Sequence, residues 1–88
     1  MPHILGRHRV DDIEAWKKMI DVHKPGHRAA AIQFQHVWAN VDDPHEIFFL
    51  FKAEDLNLAR EFLDAAGALD REKQSRGEVP LLFFLEER

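Results

Sequence analysis

The stretch Glu46-Ile47-Phe48-Phe49-Leu50-Phe51-Lys52-Ala53 sets five apolar residues in succession between a turn and a helix start. A strand with one wet face alternates apolar and polar residues, because successive side chains point to opposite faces. This run does not alternate, so it predicts a strand buried on both faces. The run Leu81-Leu82-Phe83-Phe84-Leu85 has the same character. In a chain of 88 residues the helices suffice to cover one face of a sheet. The other face then needs a cover from outside, and a second copy of the chain is the expected one.

The remaining composition narrows the function classes. A 45% apolar fraction with seven phenylalanines can build one domain spanning residues 1–88. No cysteine is present, which removes disulfides, thiolate nucleophiles and zinc–sulfur sites. The formal net charge of −4 weighs against a nucleic-acid partner, since phosphate neutralisation needs a basic patch. No run approaches the ~20 apolar residues of a membrane span. The opening Met1-Pro2-His3-Ile4-Leu5-Gly6-Arg7-His8 lacks the apolar core and cleavage site of a signal peptide. A cytoplasmic protein with neither nucleic-acid nor membrane partner is expected.

Along the chain, His3 to Val10 forms the first predicted strand, with Ile4, Gly6, His8 and Val10 on one parity and His3, Leu5, Arg7 and Arg9 on the other. Asp11 followed by Glu14 has capping-box spacing, and Ile13, Trp16, Ile20 and His23 form a helical stripe. Pro25-Gly26 interrupts this helix, and a second piece from His27 to Ala31 follows. Ile32 to Asn40 is the second strand, with Phe34, His36 and Trp38 on one face. The turn Val41 to His45 joins it to the Glu46–Ala53 strand as a hairpin. Asp55 caps a helix striped by Leu58, Ala59, Phe62, Leu63 and Ala66. Gly67 weighs against that helix being continuous, Ala68 to Arg76 still holds good helix formers, Gly77 is the expected terminator, and Pro80 opens the last strand.

The order βαββαβ, with right-handed crossovers, gives an α+β, ferredoxin-like, four-stranded antiparallel sheet with two helices on one face. Two such sheets packed open face to open face make a dimeric α+β barrel, so a homodimer is the expected assembly.

Three segments carry a family resemblance. His8-Arg9-Val10-Asp11-Asp12-Ile13-Glu14-Ala15-Trp16 resembles the strand-to-helix entry of small dimeric α+β barrel proteins. Trp38-Ala39-Asn40-Val41-Asp42-Asp43-Pro44 resembles their hairpin, and Asp55, Ala59, Phe62 and Pro80 match their second helix and last strand. The chain is thereby similar, over nearly its whole length, to the antibiotic-biosynthesis-monooxygenase-like superfamily. That resemblance implies a group of cofactor-free oxygenases, heme-degrading enzymes, isomerases, cyclases and proteins with no assigned activity. The oxygenases of that group use Asn, Trp, His or Tyr inside the barrel, and this chain has no tyrosine.

The candidate site residues follow from residue chemistry. His36 is either the acid/base group of an aromatic pocket with Phe34 and Trp38 as substrate-binding walls, or a hydrogen-bonded sheet histidine. His8, on the parity of Ile4, is either a second proton-transfer group or a structural one. Arg7 faces the open side, where its guanidinium can polarise a carboxylate or phenolate oxygen, and Arg28 at the helix interruption can hold an anion. His23 and His27 are four apart, but Pro25-Gly26 lies between them and no acidic residue completes a ligand set, so no metal is expected. The reading is an enzyme without an organic cofactor, of monooxygenase, cyclase or isomerase type, acting on a small organic molecule in the barrel. The alternatives are a non-catalytic ligand-binding or dimerisation module and, more remotely, a heme protein with His36 or His8 as axial ligand.

Overall fold

The computed structural model describes residues 1–88, in the order β1 (His3–Arg9), α1 (Ile13–Val22), α2 (Lys24–Ala29), β2 (Ile32–Ala39), β3 (Glu46–Ala53), α3 (Leu56–Ala65), α4 (Arg71–Ser75) and β4 (Leu81–Leu85). All strand pairs are antiparallel and the sheet order is β2-β3-β1-β4. This is the ferredoxin-like arrangement. Each of the two predicted helices is divided, giving four helical pieces.

Local chemistry explains the divisions. The N-cap of α1 is Asp12, not Asp11: the Asp12 carboxylate accepts the Glu14 N–H at 2.9 Å. Asp12 directly precedes the first helical residue, which puts its side chain over the unpaired N–H of the first turn. Helix α1 stops at His23, and α2 begins at Lys24 instead of at His27. Pro25 sits in the first turn of α2, where its missing N–H leaves no bond unmade, so the proline starts a helix there. Asp55 caps α3 and Asp70 caps α4, each accepting two backbone N–H groups. Gly67 and Gly77, at φ +76° and +74°, terminate α3 and α4 in the left-handed conformation glycine adopts freely. Both ends close with a six-residue return bond, Ala68 N–H to Leu63 C=O at 2.9 Å and Glu78 N–H to Lys73 C=O at 3.0 Å.

The sheet has two unlike faces. Ile4, Ile47, Phe49, Phe51 and Ala53 turn toward the helices and pack with Trp16, Ile20 and Ala59 into the core. Gly6 lies beneath Phe49, its register partner on β3. The other face is open. Register places Trp38, Phe48, Arg7 and Leu81 in one row across the sheet, and His36, Leu50, Leu5 and Phe83 in the next. A third row holds Gln33, Lys52, His3 and Leu85. Strands β3 and β4 are thus apolar on both faces, but only the helix-facing side is covered within one chain.

One pairing corrects the expected pattern. Phe34 pairs with Phe51, and the next pair along is His36 with Leu50, so Gln35 is an extra residue in β2. This β-bulge switches the parity of the strand. Phe34 therefore lies on the helix side, against Trp16 at 5.9 Å and Phe51 at 5.6 Å between ring centroids. It does not share a face with His36 and Trp38.

Candidate functional site

The predicted site residues divide among three places. Arg7, His36 and Trp38 are on the open sheet face. The rings of His36 and Trp38 stack with centroids 5.3 Å apart and planes 26° from parallel. Arg7 donates from Nε to Glu46 Oε1 at 2.9 Å, leaving its terminal nitrogens unpaired. Two strand spacings, roughly 10 Å, separate Arg7 from the β2 row that carries Trp38. At that separation Arg7 does not converge with the His36–Trp38 stack on one point.

His8 is on the opposite face, half-buried beside the Gly77 backbone. Burial lowers its pKa below the ordinary 6.5, with the contact to Gly77 opposing that shift. It meets neither Arg7 nor His36.

Phe34 and Arg28 come together in a cleft of ≈ 420 Å³ between α1, α2 and the β2 edge. Phe34, Ile20 and Ile32 supply its apolar wall, and His27 stands at its inner end. The mouth carries Asp21, Lys24, Arg28 and Glu54, two charges of each sign, and none of the four is ion-paired. Ala31, also in the wall, is held at φ +58°, an unfavourable conformation for a residue with a Cβ. Its carbonyl accepts the Glu54 N–H at 3.0 Å, which ties the α2–β2 turn to the end of β3.

His27 is the group that sequence reasoning placed only as half of a metal spacing. Its ring meets the edges of Phe51 and Phe62 at 5.3 and 5.6 Å. Burial in this apolar setting lowers its pKa, and the nearby His23 adds to the shift. The imidazole is neutral at pH 7, able to accept a proton. The titratable and charged groups around it are His23, Asp21, Lys24, Arg28 and Glu54. No set of three or more His, Asp or Glu side chains is gathered for a metal ion. The usable signal was the stretch His23-Lys24-Pro25-Gly26-His27-Arg28, which crowds four cation-forming side chains around a proline-started helix.

The two perturbed histidines predict a pH dependence. Both are harder to protonate folded than unfolded, so the unfolded chain binds more protons once pH falls below 6.5. The stability is present above that value and is lost as pH falls below it through the lowered folded-state pKa values. Urea titrations at pH 7.5 and 5.5 are expected to show the loss, and His8→Gln with His27→Gln should flatten it. An unchanged slope in the double variant assigns the loss to other groups.

No protein-family model matches the chain, and no curated protein matches it in sequence. In structure the chain is similar to an uncharacterized NIPSNAP domain protein from Burkholderia xenovorans, at a TM-score of 0.59 and 12% identity. The superposition covers 100% of this chain and 95% of the other. At this identity the likeness establishes the fold: a small α+β domain with the ferredoxin-like sheet. It does not single out the antibiotic-biosynthesis-monooxygenase-like superfamily. No helix is long and apolar enough to cross a membrane.

Proposed function

We propose that the protein is a homodimer that binds a small, charged organic molecule in the helix-side cleft. The observation that carries the ligand reading is the cleft itself, a concave space with unpaired charges at the mouth and a neutral imidazole at the inner end. Concave sites with an apolar wall and a few convergent polar groups are where small molecules bind. Arg28 and Phe34 keep the substrate-binding roles expected of them, with the ligand beside the sheet and not between two sheets. A proton transfer of the isomerase kind, with His27 as acceptor and Arg28 stabilising the resulting anion, needs no organic cofactor.

The homodimer reading rests on the open face. Its central row holds Leu50, Leu5 and Phe83 beside His36, and the flanking rows add Trp38, Phe48, Leu81 and Leu85; Arg7 is already paired with Glu46, and Gln33, Lys52 and His3 are the polar members. A broad exposed apolar face marks an interaction surface. None of the four helices covers this face, and a twofold pairing of identical sheets does so symmetrically. The His36–Trp38 stack would then be an interface group.

Amide NMR with a panel of small carboxylates and amines tests the ligand reading. Shifts at Lys24, Arg28, Gln33 and Glu54 are expected, and Arg28→Gln should weaken carboxylate binding about tenfold, the scale of a charge-assisted hydrogen bond. Shifts confined to the His36 and Trp38 strand faces would move the site to the barrel interior.

A further inference from the structure

A second cavity, ≈ 120 Å³, lies deeper between the sheet and the helices. Its wall is built from Ile4, Phe49 and Phe51 of the sheet, Leu63 and Ala68 on the α3 side, and Leu82 of β4. The outer cleft and this inner cavity share Ile20, His27 and Ile32, so these three side chains line both spaces. His27 is the only titratable side chain in the inner wall. Side by side, the two spaces are graded, charged at the outer one and apolar at the inner one, with the His27 imidazole in the wall of both.

The mouth is also balanced in sign. A ligand bearing only a carboxylate would satisfy Lys24 and Arg28 while leaving Asp21 and Glu54 to repel it. A ligand bearing only an ammonium would meet the reverse. A zwitterion satisfies both sets at once. The inner cavity limits the apolar part: at ≈ 120 Å³ it is somewhat smaller than the dry cavity of about 150 Å³ that holds benzene, so nothing larger than a single ring or a short branched chain can enter. We propose that the ligand of this cleft is a free α-amino acid with an apolar side chain, of phenylalanine or leucine size. Its carboxylate lies at Arg28 and Lys24, its ammonium at Glu54 and Asp21, and its side chain passes His27 into the inner cavity. This rests on the cleft being the ligand site, and it adds the class of ligand.

The test compares L-phenylalanine, 3-phenylpropionate, 2-phenylethylamine and glycine by amide NMR titration of the full chain. L-phenylalanine is expected to bind at least tenfold more tightly than each of the other three. It should shift the amides of the inner wall, Ile4, Leu63, Ala68 and Leu82, as well as those of the mouth. Glu54→Gln should weaken L-phenylalanine and leave 3-phenylpropionate unchanged or tighter, whereas Arg28→Gln should weaken both. Ala68→Leu, which fills the inner cavity, should remove the preference for L-phenylalanine over glycine; the wild-type footprint reports the same occupancy if that variant does not fold. Equal affinity for L-phenylalanine and 3-phenylpropionate overturns the amino-acid assignment while leaving the cleft as a ligand site. Binding of glycine as tight as L-phenylalanine, with no inner-wall shifts, overturns the side-chain pocket. Absence of binding by all four removes this proposal, and the cleft reading survives only if other acids or amines of the panel shift its amides.

Discussion

Gly6→Val is expected to leave the chain largely unfolded, and Gly6→Ala to lower the free energy of unfolding by about 2–3 kcal/mol. The cause is geometric. A Cβ at position 6 would stand 2.8 Å from Phe49 Cε1 and nearer still to Cε2 and Cζ. Such an overlap is cheap only where the opposing ring can move. Phe49 is 3% exposed and wedged between Trp16, at 4.9 Å, and Phe51, at 5.7 Å. Shifting it would drag the centre of the core, and a small domain has on the order of 5 kcal/mol to lose. A larger strand-forming residue gains at most about 1 kcal/mol of β-propensity in return. Urea denaturation measures the effect. Shrinking the ring with Phe49→Leu should make Gly6→Ala less costly than it is alone, with a coupling energy of about 1–2 kcal/mol. Simple additivity in that cycle would falsify the ring-over-glycine account.

Leu50→Asp is expected to convert the proposed homodimer to a folded monomer. Leu50 sits in the middle strand of the open face, flanked by Leu5 and His36. In one chain it is half-exposed, so a carboxylate there stays wet and the fold survives. In a face-to-face pair it becomes buried without a partner, at about 3–5 kcal/mol for each uncompensated charge. Twofold symmetry brings the substitution in twice. Phe49→Asp is the contrasting case: its side chain points into the core, so that variant should unfold whatever its association state. Light scattering at micromolar concentration distinguishes these outcomes, with wild type near twice the 10.3 kDa chain mass and Leu50→Asp near one. A wild-type protein of single-chain mass would leave the open face without its proposed cover.

Much of the fold was legible because it is written in local patterns. The bounds Glu46 to Ala53 of β3 follow from one apolar run ended by a turn and a cap, and Asp55 and Gly77 act as cap and terminator as their chemistry dictates. The assignment of Ile4 and His8 to the helix side, and of Arg7 to the open side, came from strand parity and agrees with the packing. Parity failed at Phe34. A bulge leaves no mark in the period-two pattern, since Gln35 is as polar as any residue at a strand surface, and every position after it changes face. The cleft was illegible for a different reason. Lys24, His27 and Arg28 are close in sequence, but Glu54 and Phe34 reach them only after α2 folds against the β2 edge. Concavity belongs to the tertiary structure. The strongest polar signal in the sequence, its six histidines, therefore directed attention to strands, whereas the imidazole with the most unusual surroundings is on a short helix.

The bulge at Gln35 also bears on how large an assembly this chain can form. Apolar sheets can associate in two ways, by face or by edge. Face pairing consumes the available surface and stops at two copies, whereas edge pairing leaves a fresh edge after every addition and grows without limit. The outer strands here are β2 and β4. The first is broken in register by Gln35; the second is five residues long, preceded by Pro80 and followed by Glu86-Glu87-Arg88. Neither offers a long, regular ladder to a neighbour. Edge growth is thereby disfavoured for a chain with so sticky a surface, which leaves its greasy side to the closed pair proposed above.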